Sequence, residues 1–291
     1  MIKRIFSTLT LWTLLLFTIY FFNAAGFAAL LLVLALAAGY EACKLLERCD
    51  AKPSFKVFAA LTVLFFIPTL HLSLFDSKIS TLCIFLFFLI PVFFAIWLLR
   101  DPYGDLLKKT ILPTFFTFLF ISFMLLVYAV FAWVYSFSYS CLDCGGKELP
   151  YSGVILAIMI IAAAKFTDVG GYLFGMFFGR HKLAPTMSPK KTWEGAVGGV
   201  LVSMLVTVGM ALGLADMISI DLPPWKAALI ALPVSIVSII SDLLESVLKR
   251  RADVKDSGTT IPGIGGALDL ADSMLLAGPI GVVGFLMFEI F

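Results

Sequence analysis

The chain has 291 residues, of which 61% are hydrophobic and 14% are charged, and its mean hydropathy is +1.05. Soluble domains contain about a quarter charged and about half apolar residues, so this composition excludes an ordinary soluble protein and indicates that lipid is the main solvent. The formal net charge of +2 gives no reason to expect a nucleic-acid partner.

Nine apolar runs follow one another along the chain, and a membrane-spanning helix needs roughly 20 such residues. They cover residues 5–22, 27–46, 57–75, 79–99, 111–137, 152–178, 195–215, 226–247 and 268–290. We therefore predict an all-α polytopic integral membrane protein with about nine transmembrane helices. The first run is interpreted as a retained helix, because no cleavage pattern of small residues directly ends it.

The distribution of basic residues predicts the orientation of these helices. If the N-terminus is cytoplasmic, 17 Lys and Arg residues fall in cytoplasmic segments and three in outer loops, while Lys165 lies within a span. We therefore expect the N-terminus in the cytoplasm.

Charge also divides the chain by role. Residues 1–150 keep their charges in loops, whereas residues 151–291 carry acids at or near membrane depth, which suggests a scaffold followed by a working half. We predict three segments: helices 1–3 in 1–78, helices 4–6 in 79–178, and helices 7–9 with the polar motifs in 179–291.

Ionisable residues near the hydrocarbon are costly and usually functional. In the C-terminal half they are Lys165, Asp168, Glu194, Asp242, Glu245, Asp269 and Asp272. Asp269 and Asp272 are three apart, so on a helix their carboxylates share a face and invite a cation. Asp242, Glu245 and Lys249 follow a similar helical spacing. Carboxylates without a Cys or His cluster favour a hard cation such as Mg²⁺; the alternative is interfacial charges that reach towards water.

A glycine-rich segment, residues 261–266, precedes this pair of aspartates. Glycines allow a sharp turn and close approach of a ligand, and amides that lead into a helix N-terminus suit a phosphate.

The segment 188–195 is the second dense polar patch. Lys190 and Lys191 supply point charges, and Thr192 can cap a helix that begins near Trp193. The lysines could instead determine topology, and the tryptophan could anchor the helix at the interface. Together, acids, a cation and phosphate-binding segments describe phosphoryl or nucleotidyl transfer between a soluble phosphate compound and a lipid.

The polar segments of the C-terminal half strongly resemble the signature of the phosphatidate cytidylyltransferases, also called CDP-diacylglycerol synthases. The matching stretches are 168–172, 179–180, 188–195, 242–251, 255–258 and 262–273. Resemblance at the level of motifs runs from about 165 to 275, and the N-terminal half is similar only in hydropathy.

The resemblance implies a reaction in which CTP and phosphatidic acid give CDP-diacylglycerol and pyrophosphate at a cytoplasmic active site. It implies Mg²⁺ as cofactor, K⁺ as a second cation, and a homodimer with the middle helices at its interface. By position it implies Asp242 and Asp269 as metal ligands, with Asp272 next, and Asp242, Asp269 and Lys190 as catalytic residues. The implied substrate-binding residues are Ser188, Lys190, Lys191, Lys249, Arg250, Asp168, Gly265 and Gly266.

Two positions depart from the family pattern. Ile264 stands where the family commonly has His, and Leu270 stands where it commonly has Arg. The glycines and both aspartates remain, so we expect an intact metal site in which no histidine performs acid–base chemistry. We interpret His181 as a solvated loop residue.

Two other functions fit the residues less well. A CTP-dependent enzyme of another lipid, such as a polyprenol kinase, would lack the full C-terminal signature. An ion-coupled transporter would show inverted repeats and acids at the midplane. Cys141 and Cys144 fall in a predicted outer loop, where an oxidising compartment would allow a disulfide.

Overall fold

A computed structural model describes residues 2–71, 112–118, 121, 125, 127–128, 151–185, 188–218, 220–261 and 265–290. Its helices are α1 (Ile2–Glu47), α2 (Phe55–His71), α3 (Leu112–Thr117), α4 (Ser152–Phe178), α5 (Trp193–Gly213), α6 (Pro224–Arg251) and α7 (Ala267–Ile290), with a 3₁₀ turn at Ala215–Met217. Strands β1 (Lys182–Ala184) and β2 (Ser188–Thr192) lie between α4 and α5.

Five helical segments within these ranges are long and apolar enough to cross a membrane, which confirms an all-α membrane protein. They are Ala24–Glu47, Ser152–Phe178, Trp193–Gly213, Pro224–Arg251 and Ala267–Phe288. The run at 79–99 and most of 111–137 lie outside the described residues, as do Cys141 and Cys144. The count of nine spans and the cytoplasmic N-terminus therefore stay predictions.

The break expected at residues 23–26 is a bend rather than a gap, because α1 continues through it. Alanine has the highest helix propensity, and one glycine costs only about 1 kcal/mol, so this stretch can remain helical. A Cβ on Gly26 would lie 2.7 Å from the carbonyl oxygen of Thr18. Eight residues of straight helix rise about 12 Å, so α1 must bend sharply there.

The hairpin between α4 and α5 is the second departure from expectation. No strand was predicted in the segment 188–195, yet Ser188–Thr192 forms β2 and pairs antiparallel with β1. Strands of three and five residues are too short to show an alternating pattern in the sequence. The hairpin holds β2 against the end of α4, since Thr192 contacts Gly175 and Gly179.

Small and hydroxylated residues join α4 to its neighbours. A Cβ on Gly170 would lie 2.7 Å from Cβ of Val202, so α4 and α5 pack backbone against backbone, as transmembrane helices with small residues do. Ser203 on α5 donates to the carbonyl of Ala163 at 2.9 Å, and Ser238 on α6 donates to that of Ala164 at 3.3 Å.

The contact between α6 and α7 completes the arrangement. The hydroxyl of Ser241 donates to the backbone carbonyl of Asp272. This hydrogen bond sets the acids that follow Ser241 on α6 beside the first turns of α7.

Candidate active site at the ends of the last four helices

Three carboxylates of α6 and α7 meet at one point. Single oxygen atoms of Asp242, Glu245 and Asp272 all lie within 4.8 Å of one another. Glu245 and Asp272 are buried, and within the described part of the chain Oε1 of Glu245 has no hydrogen-bond partner. Buried carboxylates are costly unless paired or bound to a metal, so this group has the composition and spacing of a site for a hard cation.

Lysines from three elements surround the three carboxylates. Lys191 on β2 contacts Oδ2 of Asp242, and Lys165 on α4 lies 3.6 Å from Oδ1 of Asp272. Lys165 also donates to the hydroxyl of Ser273 at 2.6 Å.

Lys249 connects the acids of α6 with those of α7. Its Nζ lies 2.8 Å from Oε2 of Glu245, one turn earlier on α6, and 2.8 Å from Oδ1 of Asp269. The site is therefore a set of alternating charges, in which Lys249 pairs with one acid of α6 and one acid of α7.

Asp269 lies beside the group of three rather than within it. Its Oδ2 accepts hydrogen bonds from the amide of Ser257 at 3.0 Å, the hydroxyl of Ser257 at 2.9 Å and the amide of Gly266 at 2.7 Å. The bond from Gly266 is the return bond of a capping box, in which the third residue of a helix binds the amide just before it. Asp269 thus organises the start of α7.

Glu41 is a site residue that our sequence analysis missed. It lies on α1, is only 4% exposed, and binds three donors of the loop that precedes α7 and of α7 itself. Its position inside the apolar run 27–46 was an available signal, because an acid at membrane depth is functional by default.

The glycine-rich loop closes on itself before α7. Ile261 and Gly265 exchange two backbone hydrogen bonds of 2.9 and 3.0 Å, and Gly265 has φ of +128°, a conformation that favours glycine. The amides of Gly266, Leu268 and Asp269 already have acceptors within the protein. Phosphate binding by Gly265 and Gly266 therefore stays a prediction, and Ile264 lies outside the described residues.

The hairpin presents its lysines differently. Lys191 is half-buried against Asp242, whereas Lys190 is exposed and Ser188 is half-buried on the same strand. Thr192 caps α5 as predicted, since its hydroxyl accepts from the amide of Gly195 at 3.1 Å.

Glu194 holds the other edge of the hairpin. Its carboxylate lies 2.6 Å from Nδ1 of His181 and accepts from the amides of Arg180 and His181. The side chain of His181 is 77% exposed, as expected of a loop residue, although it also has this partner.

Two further predicted site residues lie at the edge of this set of charges. Asp168 is half-buried on α4 within electrostatic reach of Lys165, Lys191 and two of the three carboxylates. Arg250 is exposed at the end of α6 and donates to the carbonyl of Val254 at 3.3 Å. Leu270 is half-buried and offers no charge where the family commonly has Arg.

An apolar cavity of about 190 Å³ opens beside the three carboxylates. It lies between α1, α3, α6 and α7 and is lined by Ala42, Leu46, Thr117, Ile121, Ser241, Leu244, Glu245, Leu248, Leu268, Asp272 and Leu275. Glu245 and Asp272 therefore line an apolar space, and Lys191 of the hairpin contacts the neighbouring Asp242.

Comparison with known proteins places the chain in a family. Residues 2–288 match the cytidylyltransferase family. The chain is 29% identical over 269 residues to a phosphatidate cytidylyltransferase of Thermotoga maritima, a match that spans 91% of this chain and 88% of the relative.

Two further relatives match over shorter stretches. A phosphatidate cytidylyltransferase of Staphylococcus haemolyticus is 41% identical over 39% of this chain and 42% of its own length. One of Chlamydia trachomatis is 36% identical over 46% of this chain and 44% of its own length. Since the family match extends over nearly all of its residues, the chain belongs to the cytidylyltransferase family.

Proposed function

We propose that the protein is a phosphatidate cytidylyltransferase, which transfers the cytidylyl group of CTP to phosphatidate and releases CDP-diacylglycerol and pyrophosphate. The observation that carries the proposal is the placement of Asp242, Glu245 and Asp272 between lysines and an apolar cavity. A soluble triphosphate requires positive charge and a lipid requires an apolar surface, so an enzyme that joins the two needs both surroundings at one site. The relatives reported above share the name of this activity.

The three carboxylates fit Mg²⁺, which binds through oxygen ligands. Among the described residues Oε1 of Glu245 has no hydrogen-bond partner, and a buried carboxylate oxygen in that state would be stabilised by a cation. We propose Asp242, Glu245 and Asp272 as the residues that hold Mg²⁺. When bound, the ion would neutralise triphosphate charge and polarise the phosphorus under attack.

Asp269 could contribute to cation binding through Oδ1, because its Oδ2 already accepts three hydrogen bonds. Its Oδ1 faces Lys249, so a second cation such as K⁺, which the family resemblance implies, would compete with this ammonium group for the same oxygen. Asp269 and Lys249 thus form the edge of the proposed cation site.

The hairpin supplies the charge that CTP requires. Lys190 is exposed on β2, and its neighbour Lys191 already contacts Asp242, so a triphosphate laid along this strand would reach the metal ligands. Phosphoryl transfer proceeds mainly through positioning and charge neutralisation, and lysines at this edge provide both. Ser188, Asp168 and Arg250 complete the proposed substrate-binding set at the rim.

The cavity suits the glycerol phosphate end of the lipid. Pockets that enclose a whole drug-sized ligand measure about 300–1,000 Å³. The cavity has only about 190 Å³, so the acyl chains would remain in the bilayer. In the proposed step an oxygen of the lipid phosphate attacks the α-phosphorus of CTP, the bond from that phosphorus to the bridging oxygen breaks, and pyrophosphate leaves.

We further propose that the protein is a homodimer in the inner (plasma) membrane and that its active site faces the cytoplasm. The excess of basic residues in the predicted cytoplasmic segments supports this orientation. The dimer rests on the family resemblance, and cross-linking of the protein in membranes tests it.

Incubation of the purified full chain with CTP, Mg²⁺ and phosphatidate tests the function. We expect stoichiometric pyrophosphate and CDP-diacylglycerol, and no product when polyprenol replaces phosphatidate. Formation of a phosphorylated polyprenol without a CDP-lipid would favour the kinase alternative and overturn the proposal.

A further inference from the structure

We propose that Glu41 is a positioning residue for the active site, because its carboxylate caps α7 from a different helix. It lies on α1, outside the motifs on which the sequence analysis relied, and is 4% exposed. Its binding partners lie more than 200 positions away, at Ser257, Thr260 and Leu268.

The start of α7 has no N-cap side chain, although Asp269 of the same helix binds the amide of Gly266. A helix leaves its first amides without partners, and a Ser, Thr, Asp or Asn just before the helix usually accepts from one of them. That position is Gly266, which has no side chain. Oε2 of Glu41 accepts from the amide of Leu268 at 2.9 Å, and the hydroxyl of Ser257 accepts from that of Asp269 at 3.3 Å. The cap is therefore built from outside the helix.

The same carboxylate fastens the loop before α7. Oε1 of Glu41 accepts from the hydroxyl of Thr260 at 2.5 Å, and Oε2 accepts from that of Ser257 at 3.0 Å. Ser257 also lies 2.9 Å from Oδ2 of Asp269. A hydroxyl has one proton to donate, so Glu41 and Asp269 share it and are coupled through Ser257.

Glu41 leaves no space for a side chain at two glycines of this region. A Cβ on Gly258 would meet Oε1, Cδ and Cγ of Glu41, with the last two at 2.6 and 3.2 Å. A Cβ on Gly266 would meet Oε2 of Glu41 and the hydroxyl of Ser257. The loop therefore packs directly against the carboxylate of Glu41, and a side chain at either glycine would overlap it.

The electrostatic setting also suits a cap. Within the described residues no Lys or Arg nitrogen lies within ion-pair distance of Glu41. A helix N-terminus carries a partial positive charge equivalent to about half a unit, which stabilises a nearby carboxylate. Removal of Glu41 would leave the Leu268 amide unsatisfied and let the first turn of α7, with Asp269 and Asp272, shift.

Hydrogen exchange of the full chain in detergent tests the cap directly. In Glu41→Ala we expect the amides of peptides that cover 256–270 to exchange about five- to tenfold faster, because the amide of Leu268 loses its acceptor. Glu41→Gln keeps an acceptor of the same length and should show a smaller change. Glu47→Ala removes an exposed acid of the same helix and should change nothing. Unchanged exchange at 256–270 in Glu41→Ala would overturn the proposal.

Turnover supplies the second measurement, and this part rests on the proposed function. We expect kcat of Glu41→Ala to fall about ten- to a hundredfold, as small misplacements of catalytic groups do, with KM for CTP nearly unchanged and partial recovery in Glu41→Gln. If the unaltered chain forms no CDP-lipid, the proposed function fails, while the exchange result still decides on the cap. A lower CTP affinity with unchanged kcat would contradict a positioning role.

Gly258→Ala tests the contact without removing Glu41, and a double-mutant cycle then measures how strongly the two residues are coupled. Gly258 has no positive φ, so Gly258→Ala acts through its new methyl group, and the three nearest atoms all belong to Glu41. We expect Gly258→Ala to lower turnover and the melting temperature, and Glu41→Ala to add little once Gly258→Ala is present. Strictly additive effects would show that the two residues are not in contact and would overturn the proposal.

Discussion

Glu245 is a single acid that the structure leads us to propose as a further metal ligand. Its spacing from Asp242 was visible in the sequence, yet the family resemblance directed the metal assignment to Asp269 instead. In the structure Glu245 joins Asp242 and Asp272, whereas Asp269 is saturated by Lys249 and the loop. Both side chains end in a carboxylate, and only the fold shows that Asp269 accepts several hydrogen bonds whereas, among the described residues, Oε1 of Glu245 has no hydrogen-bond partner.

Replacing Glu245 by Gln tests this proposal. The amide has nearly the same size but no charge, so the Mg²⁺ concentration that gives half-maximal turnover should rise by about tenfold or more. Glu47→Gln, which alters an exposed acid of α1, is the matched control. An unchanged Mg²⁺ dependence in Glu245→Gln would remove this residue from the proposed metal site.

Lys190 tests the proposed triphosphate edge of the site. Lys190→Ala removes an exposed ammonium group without breaking an ion pair of the described residues, so its effect should fall on CTP. We expect KM for CTP to rise about tenfold, since a charge-assisted hydrogen bond contributes about 1.5–3 kcal/mol, while KM for phosphatidate stays unchanged. Lys182→Ala on the paired strand is the control, and an equal effect there would indicate a general surface charge.

At the scale of helices and strands, the long apolar helices of the C-terminal half could be predicted from the sequence. The helices at 152–178, 195–215, 226–247 and 268–290 were visible because each run is bounded by charged, proline or glycine residues. The hairpin and the bend at Gly26 could not be predicted in this way. Short strands show no alternation of apolar and polar residues, and a bend within a continuous helix does not change its hydrophobic pattern. The cap of α7 by Glu41 joins residues 227 positions apart, a contact that no local pattern encodes.

The junction of β2 and α5 yields a prediction at this scale. Thr192 caps α5 and packs against Gly175 and Gly179, so Thr192→Val keeps the shape but removes the acceptor for the Gly195 amide. We expect the free energy of unfolding in detergent to fall by about 1 kcal/mol. Thr192→Ser keeps the hydroxyl and should retain most of that stability; equal losses in both variants would mean that packing, rather than the cap, is responsible.

For the whole molecule, α7 links the position of the active site to the position of the C-terminal end. The helix has 24 residues, which span about 36 Å, and the hydrocarbon core of a bilayer is about 30 Å thick. Asp269 and Asp272 lie in its first two turns, so we expect the C-terminal end of α7, at Ile290, on the opposite side of the membrane from the site. With the site facing the cytoplasm, a reporter fused after Phe291 should be active only outside. A second reporter placed in the hairpin between β1 and β2 should be active only in the cytoplasm. Signals from both reporters on the same side would contradict a membrane-crossing α7, whereas an exchange of the two sides would keep the fold and reverse the orientation that the basic residues predict.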